Sequence, residues 1–482
     1  MSTKHSPAAG PEDIEMPEMN ADEKVKSGKK FRWRSKSGAV ILAAILILLI
    51  AVVLVIVWTA QGNKKPETDP VAVTVGIPIS GVKVPEGTTL GVIVTQASGV
   101  TPGSQWRATA EGAVIARERL KLGGSALALV LADDRGTASG AVEAVQSLID
   151  QDVAGIIYAS SGEHLSDGLA AASAADIPVI LPYDGAPLDM TDVWSTAPSD
   201  EAIAKELESA LVGYTNPLHI NAGETLPGDV SITDWVEFPA TADTAEFAQE
   251  VTRLTGGDLR NGGAYTGGAT NEEAELDPVA DPADVLVISG PPVSQARAVY
   301  ALQAQNVSVP ILLTPSAISP DFQTTLAEEG GAVSANLRTI GFADPEVVAF
   351  TKTPQGRAAS AYFAALRQFG EDELIMNLAG DTPFAEVAPS ADVRTHDAVL
   401  AFAHAASEAG TTDPAKVGEA LRGLSMASGD SIAGPDLDFS SPFAAVGDVS
   451  VLYATSQRLG LLPPNMTGDA SLSLVWFSEP TN

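Results

Sequence analysis

The chain has 482 residues, 45% hydrophobic and 18% charged, and its 28 basic residues face 61 acidic ones for a formal charge of -33. It is long enough to bury one large core or two ordinary ones, while the acidity works against nucleic acid, whose phosphates need clustered Lys and Arg. The lack of any cysteine removes disulfides, thiolate metal sites, a cysteine nucleophile and a lipidated N-terminal cysteine.

Residues 1–37 carry Pro7, Pro11 and Pro17 among scattered charges without apolar periodicity, the composition of a disordered tail. Residues 38–58, from Gly38 to Trp58, hold no charge over about 20 positions, enough for a helix to cross ~30 Å of hydrocarbon. Lys24, Lys26, Lys29, Lys30, Arg32, Arg34 and Lys36 precede the run and only Lys64 and Lys65 follow closely, so the positive-inside rule sets the N-terminus in the cytoplasm. The run is too long for the apolar part of a signal peptide, and Trp58 and Ala60 make a poor cleavage site, so an uncleaved single-pass anchor is expected. The remainder then faces outward. Residues 59–89, with Pro66, Pro70, Pro78 and Pro85 and alternating Val71, Val73 and Val75, read as a linker with one short strand or hairpin.

From Leu90 onward apolar runs alternate with alanine-rich amphipathic stretches, the signature of strand–helix–strand units around a parallel sheet. Strands are expected at Leu90 to Val94, Leu127 to Leu131, Val153 to Tyr158 and Ile177 to Leu181, with helices from about Gly103 to Leu122, from Ala138 to Gln151 and up to Ala175. After Pro198-Ser199-Asp200, where Ser199 or Asp200 caps a helix through Ala210, a second set follows. Its strands are Leu218 to Asn221, Ile232 to Phe238, Val285 to Ser289 and Ile311 to Thr314; its helices are Ala245 to Leu254, Ser294 to Gln305 and Asp321 to Glu328. Gly256 to Asp284 is too rich in Gly, Asn and acids to pack and reads as a surface insertion. Helices at Pro354 to Phe369, Arg394 to Gly410 and Pro414 to Leu424 and a strand at Val449 to Tyr453 complete the pattern, in which no internal repeat is evident.

Leu90-Gly91-Val92-Ile93-Val94, the helix Gly112-Ala113-Val114-Ile115-Ala116 and Ala132-Asp133-Asp134 occur in a telling order, followed by Ile177-Pro178-Val179-Ile180, Ala197-Pro198-Ser199-Asp200, Tyr362, Phe369-Gly370 and His396-Asp397-Ala398. In order and spacing, about Leu90 to Asp448 resembles the type I periplasmic binding protein superfamily, in its branched-chain amino acid branch that serves ABC transporters. The resemblance implies an α/β fold of two Rossmann-like lobes with parallel sheets, joined by three hinge crossings near Thr196 to Pro198, Gly341 to Ala343 and Gly434 to Asp438. One lobe is expected from 90–196 plus 344–433 and the other from 197–343 plus 434–482.

Ligands of open α/β sheets sit beyond the carboxyl ends of the strands, so the loops Gln96 to Gly99, Asp133 to Arg135, Ser160 to Glu163 and Tyr183 to Ala186 are expected to line a cleft. Candidate ligand-binding residues are Gln96, Ser98, Ser160, Ser161, Gly162, Glu163, Tyr183 and Asp184, with Asn221, Glu224 and Ser289 from the other lobe. The resemblance also shows departures. Gly162 stands where amino-acid-binding relatives place a serine, with Ser161 one position earlier; Tyr183-Asp184-Gly185 occupies the threonine region, and Asn221-Ala222-Gly223-Glu224 replaces a tyrosine motif. Glu163 and Asp184 add negative charge beside a helix N-terminus that would otherwise suit a carboxylate, which favours a cationic or neutral polar solute over an α-amino acid.

No Gly-x-Ser-x-Gly, His-Glu-x-x-His, Gly-x-x-x-x-Gly-Lys or Gly-x-Gly-x-x-Gly is present, so neither an enzyme nor a cofactor is expected. His396 and His404, eight apart, are two helical turns from each other, too far to share a metal, and read as packing or surface residues. Trp106 reads as a first-turn packing residue, Asp133 and Asp134 as turn and cap residues, and Tyr183 equally as packing or cleft wall. Two functions follow: a helix-tethered solute-binding component of an ABC importer, with a small-molecule solute and a permease as partners, or a non-transporting surface sensor or cell-wall-related scaffold with a degenerate pocket.

Overall fold

The computed structural model describes residues 77–97, 101–186, 189–239, 244–257, 279–463 and 473–478. The tail, the apolar run 38–58 and most of the linker lie outside them, as do Ser98 and residues 258–278 of the polar insertion. Among the described residues no helix is long and apolar enough to cross a membrane.

Five parallel strands form the first sheet: β1 (Thr89–Val94), β2 (Ala128–Asp133), β3 (Ile156–Tyr158), β4 (Val179–Leu181) and β5 (Val193–Ser195), in the order β2-β1-β3-β4-β5. Side chains of β1 alternate between faces. Leu90, Val92 and Val94 meet helices Gly112–Leu122, Val393–Ala409 and Pro414–Arg422. Ile93 meets Ala138–Ile149 and Leu165–Ala174 on the other face. Burial on both faces is why the strands read as unbroken apolar runs.

The second sheet opens with β6 (Pro217–Asn221), β7 (Asp234–Glu237), β8 (Val285–Ser289), β9 (Ile311–Leu313) and β10 (Leu337–Gly341), again parallel and in the order second-first-third-fourth-fifth. The two halves thus share a topology that their sequences do not display as a repeat. Phe247, Val251, Val299, Leu302, Phe322 and Leu326 close one face, while Ile203 and Leu207 of helix Asp200–Leu211 cover Val287, Leu312 and Ile340 on the other. A small antiparallel sheet of β11 (Ser425–Met426), β12 (Asp436–Asp438) and β13 (Ala445–Val446) follows. Then β14 (Ser450–Thr455) and β15 (Val475–Ser478) extend the second sheet antiparallel beyond β10.

Four expectations change. The end of the expected linker is no spacer: Ile79 and Val82 are buried in the first core, and Ile79 N–H donates to the Arg119 carbonyl at 3.1 Å. The helix expected from Gly103 begins as two short 3-10 turns, Ser104–Trp106 and Thr109–Glu111, because Gly103 sits at φ 87, outside helical geometry. Strands β5, β10 and β15 were not anticipated; β5 is three residues long, too short for periodicity to register. The third crossing is displaced from Gly434 to Asp438. Leu437, Phe439 and Ala444 are buried in the first core, Trp194 Nε1–H donates to the Phe439 carbonyl at 2.8 Å, and the chain leaves only between β13 and β14.

The first core holds a buried polar relay. Asp397 accepts the N–H groups of Ala433 and Gly434 and, at 2.7 Å, Nδ1–H of His396; Nε2 of His396 faces Arg119 Nη1 at 2.9 Å, and Arg119 Nε donates to the Ile77 carbonyl. Burial holds His396 below its ordinary value, so the ring is neutral and accepts from Arg119. A second buried acid, Glu111, accepts Leu378 N–H, and burial pushes its carboxyl up to about 7. A raised folded-state pKa means the native state holds the proton more tightly than the unfolded chain. Stability from this group is therefore present below about pH 4.5 and is lost as pH rises through 7. In urea unfolding, Glu111→Gln should gain on wild type progressively over that window, by about 3 kcal/mol above pH 7, and match it at pH 4.

Candidate functional site

In an order of β2-β1-β3-β4-β5, neighbouring connections diverge between β1 and β3, leaving a crevice at the carboxyl ends of those strands. The second sheet makes its own crevice between β6 and β8. Between them lies a cavity of about 1140 Å³, walled by Ser161, Gly162, Tyr183 and Asp184 from the first lobe and by Gly223, Glu224, Ser316 and Ser319 from the second. Ser319 Oγ donates to the Gln105 carbonyl at 3.2 Å, a direct bond between the lobes.

Beneath the first-lobe wall is a polar cluster. Thr95 Oγ1 donates to Asp134 Oδ1 at 2.6 Å and lies 2.8 Å from Ser160 Oγ, while His164 Nε2 is 3.0 Å from Asp134 Oδ2 and 3.4 Å from Ser160 Oγ. Burial pushes the Asp134 carboxyl up, but hydrogen bonds from His164, Thr95 and the Gly136 N–H outweigh it and hold the group below its usual range. Serine, histidine and aspartate do not form a catalytic triad here. Ser160 and Asp134 both address Nε2, whereas nucleophilic catalysis needs the acid on the opposite ring nitrogen.

The wall itself is aromatic. Trp106 and Tyr183 stack with centroids 4.6 Å apart and planes within 4°. The Arg394 guanidinium carbon lies 4.4 Å from the Tyr183 centroid and 5.0 Å from that of Trp106. Arg394 is oriented by Asp392, which caps helix Val393–Ala409 by accepting Arg394 N–H and also takes Nε and Nη2 of the same side chain. Tyr183 Oη meets Thr395 Oγ1 at 2.6 Å, and burial raises its pKa strongly. Ser161 Oγ accepts from Trp106 Nε1 at 3.0 Å and Gln105 Nε2 at 3.2 Å. Gly162, at φ 118, turns the chain so that its N–H donates to Asp184 Oδ2 at 2.9 Å.

Of the candidate residues, Ser161, Gly162, Glu163, Tyr183, Asp184 and Glu224 meet at this cavity. Four do not. Gln96 is exposed beside β1, where its N–H bonds Asp133; Ser160 lies in the buried cluster; Asn221 bonds Glu237; and Ser289, fully buried, holds the Glu224 carbonyl and His219. Ser98 lies outside the described residues. Trp106, expected as a packing residue, both packs and lines the cavity. Arg394 and Asp392, missed by the sequence reading, carried one visible signal: an aspartate capping a helix with arginine two positions on. His396, read as a packing or surface residue, is fully buried.

The cavity is acidic. Glu163, Asp184, Asp200, Glu224, Asp344, Glu346 and Asp392 line it against Arg394 and His164. Burial, with Glu346 and Asp392 nearby, pushes the Asp344 carboxyl up to about 6, and burial followed by Asp184 raises Asp200.

No family model matches the chain, and no curated protein does. Solved structures do. An ABC transporter substrate-binding protein from Desulfitobacterium hafniense, in complex with Leu, shares 18% identity at a TM-score of 0.51, covering 77% of this chain and 99% of its own. The branched-chain amino acid transporter substrate-binding protein of Streptococcus pneumoniae, in complex with isoleucine, shares 14% at 0.53, covering 81% and 100%. A solute-binding protein from R. palustris, in complex with benzoate, shares 13% at 0.53, covering 81% and 96%. The chain therefore has the fold of these proteins, that of the type I periplasmic binding proteins.

The buried stacked pair should contribute to stability. Trp106→Ala should lower the unfolding free energy by about 3 kcal/mol and Arg394→Ala by about 1 kcal/mol. Because Arg394 touches the ring that Trp106→Ala deletes, the double variant should lose less than the sum in chemical denaturation.

Proposed function

We propose that the chain is a membrane-anchored, extracytoplasmic solute-binding protein that captures a small polar solute between its lobes and delivers it to an ABC-type permease. One observation carries this: a cavity of about 1140 Å³, large enough for a metabolite, opens where the carboxyl ends of the five parallel strands of each sheet, set in matching order, face each other. The proposed division, 90–196 with 344–433 and 197–343 with 447–482, adds 434–446 to the first lobe and lets the lobes hinge about their crossings. The charge-free run 38–58, with basic residues before it, supports the anchor and outward orientation. Lacking cysteine, the chain has no lipid attachment of that kind, and a helix tether would keep it near a permease.

A solute that binds only the folded chain stabilises it by about 2.7 kcal/mol at 100 times its Kd. A metabolite library screened by thermal unfolding of the full chain in detergent should therefore contain compounds that raise Tm; a library without effect would sink transport and turn attention to the scaffold reading. Cell fractionation should leave the chain in membranes after carbonate washing, with residues beyond 60 cut by protease added outside intact cells. Release by carbonate would refute the anchor.

A further inference from the structure

The first-lobe wall is already supplied with a carboxylate. Asp184 Oδ2 accepts Gly162 N–H and its Oδ1 accepts Ala186 N–H, both at 2.9 Å, at the entrance to helix Leu165–Ala174. These backbone donors are the kind that would hold a solute carboxylate, and an internal one consumes them. A second carboxylate there would meet Asp184 without a donor between them.

An independent observation lies next to it. His164 is 7% exposed at its side chain and lines the cavity. Its Nε2 is engaged by Asp134, while its Nδ1 is buried without a hydrogen-bond partner. In the neutral ring with Nε2–H directed at Asp134, Nδ1 is an acceptor in need of a donor. A buried polar atom without a partner is destabilising, and a donor-bearing solute would relieve it. Nδ1 faces the space above Gly162, where a side-chain carbon would sit 3.4 Å away. The arginine of the wall does not offset this preference, since Arg394 forks onto Asp392 through Nε and Nη2.

We propose that the solute is an organic cation lacking a carboxylate, a diamine or guanidine, and that Asp184 excludes amino and other carboxylic acids by occupying their donors. This rests on the solute-binding reading above. The amine would donate to His164 Nδ1 and lie beside Asp184, with its hydrocarbon against the Trp106 and Tyr183 rings.

The test is isothermal titration of the full chain in detergent with putrescine and agmatine against leucine and glutamate. The two amines should bind, the two acids should not, and Asp184→Asn should weaken amine binding about tenfold or more. Asparagine offers an oxygen to only one of the two N–H groups, so the variant's melting temperature should fall modestly, and thermal unfolding checks that it is folded at the titration temperature. Binding of leucine, glutamate or a neutral sugar in preference to the amines would overturn the proposal and leave solute binding standing, as would unchanged amine affinity in Asp184→Asn. Silence toward these compounds and the whole metabolite library would instead bring down solute binding itself, and this inference with it.

Discussion

The carboxylate of Asp397 is the constraint on which the cleft depends. It accepts two backbone N–H groups from 433–434 and the Nδ1–H of His396, and through His396 it reaches Arg119. A buried carboxylate survives only when its acceptor capacity is met, and this one is met by its neighbour His396 and by the backbone of 433–434, with Arg119 behind His396. The consequence is positional. Helix Val393–Ala409 is pinned within its first turns, so Asp392, Arg394 and Thr395 at its start are delivered to the cleft wall at fixed heights. The aromatic pair, in turn, has a rigid surface to rest on.

The chemistry of the first-lobe wall is largely self-satisfied. Ser161 takes two donors from the Gln105-Trp106 turn, Asp184 takes two backbone N–H groups, and Arg394 spends its fork on Asp392. Such pre-pairing leaves few polar groups of this wall without a partner, His164 Nδ1 being the exception already described. The charge around the cavity is mainly negative. Carboxyl groups raised by burial and by one another, as at Asp344 and Asp200, mark a site whose own charges are incompletely compensated. Gln105 connects this wall to the opposite lobe through Ser319, so the turn that shapes the pocket also carries a contact between the lobes.

Much of the architecture was legible because parallel strands buried on both faces advertise themselves as apolar runs. β1, β2, β6, β8 and β9 were each located within a few residues on that basis. Helices Ala245–Leu254 and Val393–Ala409 were equally plain from spacing and caps. The losses have specific causes. β5 and β11 are two or three residues long, and their apolar side chains resemble any core loop. The displaced third crossing reflects Leu437, Phe439 and Ala444, three isolated apolar residues whose burial depends on Trp194 and β5, more than 240 positions earlier.

For the cleft, the residues immediately after a strand were the readable ones, since strand ends set the crevice: Ser161, Gly162, Tyr183 and Asp184 follow β3 and β4 directly. Ser160 and Ser289 follow the same rule yet point into the protein, because side chains alternate at a strand's end and a one-residue step exchanges cleft for core. Composition and pattern alone determined an acidic α/β chain of two sheet-and-helix halves behind a charge-free run. Only tertiary structure decided that Arg394 joins Trp106 and Tyr183, that His164 keeps a bare nitrogen, and that Asp184 occupies the backbone donors at Gly162 and Ala186. Those depend on distances between segments as much as 288 residues apart, which local propensity and periodicity do not encode.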